Sequence, residues 1–84
     1  MNNKVLVEVF LPSLQQSYNV LIPINKRIVN VVALLEKAIV DLSNGYFEEM
    51  GVCKLFNEET GNPYDESLTV KETDIRNGTK LIMF

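Results

Sequence analysis

The residue types with the strongest chemistry in this sequence are one cysteine and several neighbouring carboxylates. Cys53 is the single cysteine, and the sequence contains no histidine that could act as its base. A nucleophilic thiol needs such a base or a cationic neighbour to lower its pKa. We therefore interpret Cys53 as a small strand residue, and one cysteine builds neither an intramolecular disulfide nor a cysteine-based zinc site.

Two acidic pairs, Glu48-Glu49 and Glu58-Glu59, fall in polar segments between apolar runs. Acid–base catalysis needs a carboxyl group whose pKa burial has raised, and adjacent carboxylates in loops are usually solvated surface. The segment 58–62 lacks the repeated oxygen ligands of a calcium loop. We therefore predict no catalytic residue, no metal site and no cofactor, and we expect a protein that is not an enzyme.

Length and composition limit the classes of partner. With 84 residues, 46% of them hydrophobic and 23% charged, the chain is predicted to form a single globular domain over residues 1–84. The net charge of −3 disfavours nucleic acid, which requires a cationic surface. No apolar stretch approaches the ~20 residues of a membrane span, and no signal-peptide cleavage pattern follows the N-terminus. We expect a cytoplasmic protein without direct membrane insertion.

The first third of the chain is predicted to form a β-hairpin. Residues 5–11 alternate with the period of a strand before Pro12 breaks the run. A second run over residues 18–22 ends at Pro23, because proline cannot continue a ladder. The short polar connection between the two runs is typical of a hairpin.

From Ile28 the apolar period changes to that of a helix ending at Leu42, although the β-branched residues leave a strand as the alternative. Asn25 is predicted to be the N-cap, and Gly45 to take the left-handed position after the last turn. The predicted core face of the helix comprises Ile28, Val31, Val32, Leu35, Ala38, Ile39 and Leu42. The predicted solvent face comprises Glu36, Lys37 and Asp41.

The second half of the chain predicts further strands joined by polar loops. Residues 46–51 form an irregular helical turn or a loop, residues 52–56 a third strand, and residues 64–65 a short fourth strand. The last strand spans residues 79–84 and follows the turn signal Asn77-Gly78.

Leu68 and Val70 are predicted to anchor the polar segment between these strands in the core. The order ββαββ, with a short helix or turn before the last strand, predicts an α+β fold. In this fold one main helix packs on one face of a mixed four- to five-stranded sheet.

This order of elements resembles the ubiquitin-like β-grasp fold. The closing segment 68–84 looks like the ubiquitin-like ending, in which an apolar residue, a polar turn, an isoleucine and a second turn precede the final strand. The run Asp-Ile-Arg-Asn-Gly-Thr-Lys-Leu at residues 74–81 is similar to the YukD/EsaB-like family of small bacterial ubiquitin-like proteins associated with type VII secretion. The resemblance implies a cytoplasmic accessory or regulator of that machinery, with secretion-system components among its protein partners.

The resemblance also raises the question of conjugation. Conjugated ubiquitin-like proteins and sulfur carriers end in a flexible tail with two glycines, whereas this sequence ends at Phe84 within a predicted strand. We therefore expect neither conjugation nor sulfur transfer. The alternative function is a ubiquitin-like carrier or modifier, either a sulfur carrier or a conjugated tag, with a processed or extended C-terminus.

The best functional candidate is the outward face of the predicted sheet. The residues predicted to face the helix are Val5, Val7, Val9, Tyr18, Val20, Ile22, Leu55, Leu81 and Met83. Alternation then places Leu6, Phe10, Leu21, Phe56, Ile82 and Phe84 on the outward face. This set is too apolar for a sheet face left in water, and exposed aromatic patches mark partner sites. In ubiquitin-like proteins the exposed sheet face is the usual docking surface, and the resemblance places Phe56, Ile82 and Phe84 at comparable positions. The alternatives are that loops or a homodimer cover the face, or that the terminal residues fray.

Overall fold

The computed structural model of the chain describes residues 3–47 and 53–84. Its strands are β1 (Lys4–Leu11), β2 (Gln16–Pro23), β3 (Leu55–Asn57) and β4 (Lys80–Met83). Helix α1 (Ile28–Leu42) follows the first hairpin, and a single 3₁₀ turn (Val70–Glu72) precedes β4. This order confirms the predicted ββαββ arrangement and its short turn before the last strand. The predictions at residues 48–52, including the start of the third strand, lie outside the described residues.

The strands form one mixed sheet in the order β2-β1-β4-β3. β1 pairs antiparallel with β2 and parallel with β4, and β3 pairs antiparallel with β4. A parallel pair cannot be joined by a tight turn, so the chain must cross over between β1 and β4, and α1 lies in this crossover. The result is the predicted α+β fold, with four strands in the described part of the chain.

The predicted short strand at residues 64–65 is wrong. Pro63 forms only an isolated antiparallel bridge with Phe56, made by two backbone hydrogen bonds: the Tyr64 amide donates to the Leu55 carbonyl (3.0 Å), and the Asn57 amide donates to the Asn62 carbonyl (2.9 Å). Pairing ends there because Asp65 starts a turn, in which its carboxylate accepts from the Ser67 amide (2.9 Å) and its carbonyl from the Leu68 amide (3.2 Å).

The core lies between α1 and the inner face of the sheet. The helix residues Ile28, Val31, Val32, Leu35 and Ile39 are buried there, as are Val7, Val9, Ile22, Leu55, Leu81 and Met83 of the strands. The predicted helical stripe and the predicted inward alternation are thus confirmed at these positions. Ala38 and the inward residues Val5, Tyr18 and Val20 are half-buried at the margin of the core.

Two assignments on the helix are wrong. Leu42, predicted in the core, is 52% exposed, because it lies beside Gln16 and Tyr18 at the edge of the sheet and not beneath it. Glu36, predicted to face solvent, is only 3% exposed. Its carboxylate accepts a hydrogen bond from the Cys53 thiol, in the segment that enters β3, and so has a partner inside the fold that spacing along the helix does not show.

The start of α1 is stabilised by backbone carbonyls from a distant segment. The amides of Ile28 and Val29 donate to the carbonyl oxygens of Leu68 (2.8 Å) and Glu66 (3.1 Å). Arg27 occupies the N-cap position and makes no side-chain capping bond. The prediction of Asn25 as N-cap is therefore wrong: the orphan amides of the first turn have partners that are remote in sequence.

The end of α1 follows its prediction more closely. The Asn44 amide donates to the Asp41 carbonyl (3.1 Å) and the Gly45 amide to the Val40 carbonyl (2.8 Å), which is a Schellman arrangement. Gly45 has a positive φ of 84°, as predicted, and Asn44 precedes it with a φ of 55°.

The predicted turn at Asn77 and Gly78 fixes the position of β4 against β1. Gly78 has a φ of 87°, which an L side chain adopts only with strain. Its amide donates to the Leu6 carbonyl (2.8 Å), while the Leu6 amide donates to Oδ1 of Asn77 (2.8 Å). The turn thus extends the β1–β4 ladder beyond β4 itself. Before it, Val70 is fully buried and Leu68 is half-buried, consistent with their predicted anchoring role.

Tyr64 links the end of β3 to the segment before β4. Its hydroxyl donates to Oδ1 of Asp74 (2.8 Å) and accepts from Nδ2 of Asn57 (2.9 Å). The pKa of Tyr64 is raised to about 12, chiefly by burial; the hydrogen bond to Asp74 and its negative charge contribute to the rise, and the bond from Asn57 opposes it. The neutral phenol is therefore the form that the fold stabilises.

Substituting Tyr64→Phe should lower the free energy of unfolding at pH 7 by about 1 kcal/mol, because two hydrogen bonds lose their shared partner. The folded pKa lies above the usual value of 10.0, so the phenol's contribution to stability is complete below pH 10 and declines between pH 10 and about 12. Partial solvent exposure keeps the slope below the ~1.4 kcal/mol per pH unit of a full shift. Urea unfolding of both proteins across this range measures the difference.

The matched control is Tyr46→Phe, since Tyr46 is 81% exposed. This substitution should leave both the stability at pH 7 and its alkaline decline as in the wild type. A Tyr64→Phe protein that loses stability above pH 10 as steeply as the wild type would show that Tyr64 does not carry the effect.

Candidate protein-binding face

The six residues predicted on the outward face all lie on the side of the sheet opposite α1, and none is buried. Leu6, Leu21 and Phe84 are exposed, at 47%, 58% and 62%. Phe10, Phe56 and Ile82 are half-buried. Their placement follows from strand alternation, because each neighbours a residue that faces the core.

Four of the six form one contiguous group, here termed the aromatic cluster: Phe10, Phe56, Ile82 and Phe84. Ile82 of β4 lies directly opposite Phe10 of β1 on one side and Phe56 of β3 on the other. The Phe56 and Phe84 rings stack, with centroids 4.8 Å apart and planes inclined by 16°. The half-buried members are thus covered in part by one another, while the Phe84 ring remains open to solvent.

The other two, Leu6 and Leu21, are opposite one another on β1 and β2 and form a separate leucine pair. A polar row lies between the pair and the aromatic cluster, because Glu8 is opposite Asn19 on β2 and Lys80 on β4. Leu6 and Phe10 are four residues apart on one strand, about 13 Å at the rise of a strand. The single patch predicted from sequence is therefore two patches.

Charged side chains border the aromatic cluster at the β3 edge. The backbones of Lys54 and Phe84 exchange two hydrogen bonds (2.8 and 3.2 Å), which hold the end of β4 in place. The Lys54 ammonium lies 3.4 Å from the Glu66 carboxylate in an exposed pair that adds little stability. An apolar centre with a charged rim is the usual composition of a protein interface.

The surroundings of the cysteine disfavour its thiolate form. Cys53 lies two residues before β3 and is half-buried, so it is not the strand residue that we predicted. Burial raises the pKa of the Cys53 thiol, and the Glu36 carboxylate raises it further by its charge and by accepting the thiol proton in a hydrogen bond. This environment disfavours the thiolate, the form that a nucleophile requires.

The acidic residues in the described part of the chain form no recognisable centre. Glu58 and Glu59 are exposed in the turn after β3, whereas Glu48 and Glu49 lie outside the described residues. Over residues 3–47 and 53–84 no group of three or more His, Cys, Asp or Glu side chains is arranged to hold a metal ion. No helix in the same ranges combines the length and apolar character needed to cross a membrane.

One exposed apolar region was missed by the sequence analysis. Leu34, Leu42 and Tyr46 lie near the free edge of β2, and all three are exposed. The available signal was Leu34, an additional leucine beside the core stripe of α1. It could not be interpreted without the strand order, because only that order shows β2 to be an edge.

Comparison with solved structures defines the class of fold. The ubiquitin-like domain of EccD5 from Mycobacterium xenopi superposes with a TM-score of 0.79 at 16% identity, over 99% of this chain and 94% of that domain. A ubiquitin-like domain of an Arabidopsis thaliana protein matches 99% of this chain with a TM-score of 0.62 at 18% identity. The chain therefore has a ubiquitin-like β-grasp fold.

Two further neighbours are parts of larger assemblies. A chain of the ESX-5 inner membrane complex matches with a TM-score of 0.72 at 18% identity, and this chain spans 99% of its own length but only 21% of that one. A chain of a toluene 4-monooxygenase complex matches with a TM-score of 0.77 at 11% identity, over 95% of both chains. No protein-family model and no curated protein matches the sequence. Identities this low establish the fold alone.

Replacing Glu36→Gln should make Cys53 more reactive, because it removes the negative charge that raises the thiol pKa. The measurement is the rate of alkylation by iodoacetamide between pH 7 and pH 10, with circular dichroism to confirm folding. The wild-type profile should rise at a pH above the usual thiol value of 9.0, and the variant profile at a lower pH than the wild type.

The control is Asp41→Asn, which removes an exposed carboxylate from the same helix and should leave the profile unchanged. If the alkylation rates of the wild type and Glu36→Gln depend on pH in the same way, the Glu36 carboxylate does not raise the pKa of the Cys53 thiol.

Proposed function

We propose that this chain is a non-enzymatic protein-interaction module that binds its partner through the aromatic cluster. The observation that carries the proposal is a stacked pair of phenylalanine rings on a sheet face that no element covers in the described part of the chain. Phe84 is 62% exposed at the open side of this stack. Burial of a large apolar side chain contributes about 1.5–3 kcal/mol, so a partner that covers the cluster gains a substantial part of its binding energy there.

The cluster is also pre-organised. Phe56 and Phe84 hold one another in a fixed geometry, and the backbone bonds between Lys54 and Phe84 fix the strand end that carries the exposed ring. Side chains that are ordered before binding lose less conformational entropy when a partner docks. Glu8 and Lys80, in the polar row beside the cluster, supply charges that can set the orientation of the partner.

We further infer that the partner belongs to a bacterial type VII secretion system, and that the chain is a cytoplasmic accessory or regulator of it. Two similarities support this inference: the run at residues 74–81, which resembles the YukD/EsaB-like family, and the fold shared with the ubiquitin-like domain of EccD5. The match to a chain of the ESX-5 inner membrane complex points to the same machinery.

A binding role without catalysis agrees with the chemistry of the described residues. Burial and the Glu36 carboxylate raise the pKa of the one thiol, and the acidic pair Glu58-Glu59 is exposed to solvent with no element packed over it in the described part of the chain. A protein that acts by docking needs neither a nucleophile nor a cofactor.

The test is a pull-down from lysate of the source cell with the wild type and with the double variant Phe56→Asp/Ile82→Asp. Two carboxylates in the cluster would have to be desolvated on docking, so binding should fall by at least about a hundredfold, equivalent to roughly 3 kcal/mol. The wild type should retain a type VII secretion component, identified by mass spectrometry, and the double variant should lose it.

The matched control is Val29→Asp, which replaces a side chain that is 48% exposed on α1, on the opposite side of the molecule. This variant should retain the secretion component. If the folded double variant retains it equally, the aromatic cluster is not the binding site. If the wild type retains partners but no secretion component, the assignment to type VII secretion is wrong. Sedimentation of the wild type alone separates self-association from partner binding.

A further inference from the structure

Two asparagine–glycine steps lie in turns of this structure, and both have the composition that favours spontaneous loss of the asparagine amide. Asn44-Gly45 follows α1, and Asn77-Gly78 precedes β4. All four residues are exposed. Asparagine is among the thermolabile residues, and a following glycine places no side chain in the path of the attacking backbone nitrogen. By local sequence alone, the two steps are therefore equally labile.

The reaction at such a step consumes only water. The backbone nitrogen of the glycine gives its proton to the solvent and attacks the asparagine Cγ, so that a new C–N bond forms. The Cγ–Nδ2 bond breaks, and ammonia leaves after taking a proton from the solvent. Water then opens the cyclic imide at either carbonyl, which yields aspartate or isoaspartate. The net change is the replacement of NH2 by OH, without oxidation or reduction.

The space beside the two glycines does not distinguish the steps. Gly45 and Gly78 have positive φ values of 84° and 87°, and a Cβ on either would meet no heavy atom within 4 Å. Both backbone N–H groups are hydrogen-bonded, that of Gly45 to the Val40 carbonyl and that of Gly78 to the Leu6 carbonyl, each at 2.8 Å. Any difference therefore depends on what holds each asparagine side chain and on how readily each turn opens.

At Asn77 the reacting groups are bonded to a neighbouring strand. Oδ1 of Asn77 accepts from the Leu6 amide, and the Gly78 amide donates to the Leu6 carbonyl, both at 2.8 Å. Two further bonds close the turn: the Arg76 amide donates to Oγ1 of Thr79 (2.8 Å), and the Thr79 amide donates to the Arg76 carbonyl (3.1 Å). The imide cannot form until both bonds to Leu6 break, which requires the end of the β1–β4 ladder to open.

At Asn44 only one local bond opposes the reaction. The Asn44 side chain makes no hydrogen bond with any residue that the structure describes, and its φ of 55° is uncommon for a residue with a side chain. The bond from Gly45 to Val40 belongs to the last turn of α1. Helix ends fray without unfolding the rest of a domain. The Gly45 nitrogen is therefore released while the sheet stays intact.

We propose that Asn44 is a site of spontaneous covalent modification in the folded protein, and that the bonds to Leu6 suppress the same reaction at Asn77. Asn44 is converted to aspartate and isoaspartate, whereas Asn77 persists until the β1–β4 ladder opens. The protected turn leads directly into β4, which carries Ile82 of the aromatic cluster. The proposal is independent of the proposed function.

Modification of Asn44 should weaken the end of α1. A carboxylate there meets the negative end of the helix dipole, and no basic residue occupies the last turn to offset it. Asp41, one turn earlier, adds a like charge. Isoaspartate also lengthens the backbone by one carbon before Gly45, which disrupts the bond to Val40 and displaces the segment that leads to the buried Phe47 ring.

The test follows both sites in one sample. The folded chain is aged at mildly alkaline pH, denatured and digested with trypsin, which places Asn44 in the peptide 38–54 and Asn77 in the peptide 77–80. Mass spectrometry measures the fraction of each peptide in which OH has replaced NH2. The rate at Asn44 should exceed the rate at Asn77 by at least about tenfold, equivalent to roughly 1.4 kcal/mol.

Unfolding and hydrogen exchange test whether the fold causes this difference. In concentrated urea the two rates should become similar, because both steps are then open Asn-Gly sequences. In the folded chain the Gly78 amide should exchange with deuterium more slowly than the Gly45 amide, by a factor similar to the ratio of the modification rates.

Variants separate the two turns. Thr79→Val removes the acceptor of the Arg76 amide with little change in shape, so Asn77 should be modified faster while the rate at Asn44 is unchanged. Asn44→Gln should abolish the more acidic species that anion exchange resolves from the aged wild type, because the longer side chain closes an imide ring far more slowly. The matched control is Asn30→Gln, an exposed position on α1, which should leave that species unchanged.

Several results would overturn the proposal. Equal rates in the folded chain, or faster modification at Asn77, would show that the bonds to Leu6 do not protect it. A rate ratio that persists in urea would assign the difference to local sequence instead of the fold. An acidic species that survives in aged Asn44→Gln would show that another residue carries the modification.

Discussion

One helix can cover only one face of a four-stranded sheet, and most of this structure follows from that constraint. Strand alternation places Val9, Leu81 and Leu55 beneath α1, where they are fully or almost fully buried. The same alternation sends Phe10, Ile82 and Phe56 to the other face, where no described element covers them. Phenylalanine and isoleucine on an uncovered face lower the solubility of the protein. A partner that covers these side chains would explain their presence there.

The strand order adds a second consequence of the same architecture. Parallel pairing of β1 with β4 places the first hairpin at one side of the sheet and leaves β2 as an edge. Because α1 crosses the inner face beside that edge, its outermost residues, Leu34 and Leu42, form one wall of a groove instead of joining the core. The open face and the open edge are thus separate surfaces, each with its own chemistry.

Sequence periodicity predicted the elements well but not their long-range partners. The hairpin, the Asn77-Gly78 turn and the core stripe of α1 apart from Leu42 depend on local spacing, and their predictions were correct. The prediction of the N-cap was wrong because the carbonyls of Leu68 and Glu66 accept hydrogen bonds from the free amides in the first turn of α1. The prediction that Glu36 faces solvent was wrong. Its carboxylate contacts Cys53, and spacing within the helix cannot reveal that contact. The six outward residues were predicted on the correct face. That the polar row at Glu8 separates them into two groups could be seen only from the register between the strands.

The ubiquitin-like fold does not by itself define a function, because similar folds occur in a chain of the ESX-5 inner membrane complex and in a chain of a toluene 4-monooxygenase complex. Exposure of the outward face is measured most directly by the solvent paramagnetic relaxation that a gadolinium chelate induces in the dilute protein. If the face is open, side-chain protons of Phe84 and Leu21 should relax much faster than those of Leu81 and Ile22. Protection of Phe84 equal to that of Leu81 would mean that the face is already covered, and would contradict its role as a docking surface.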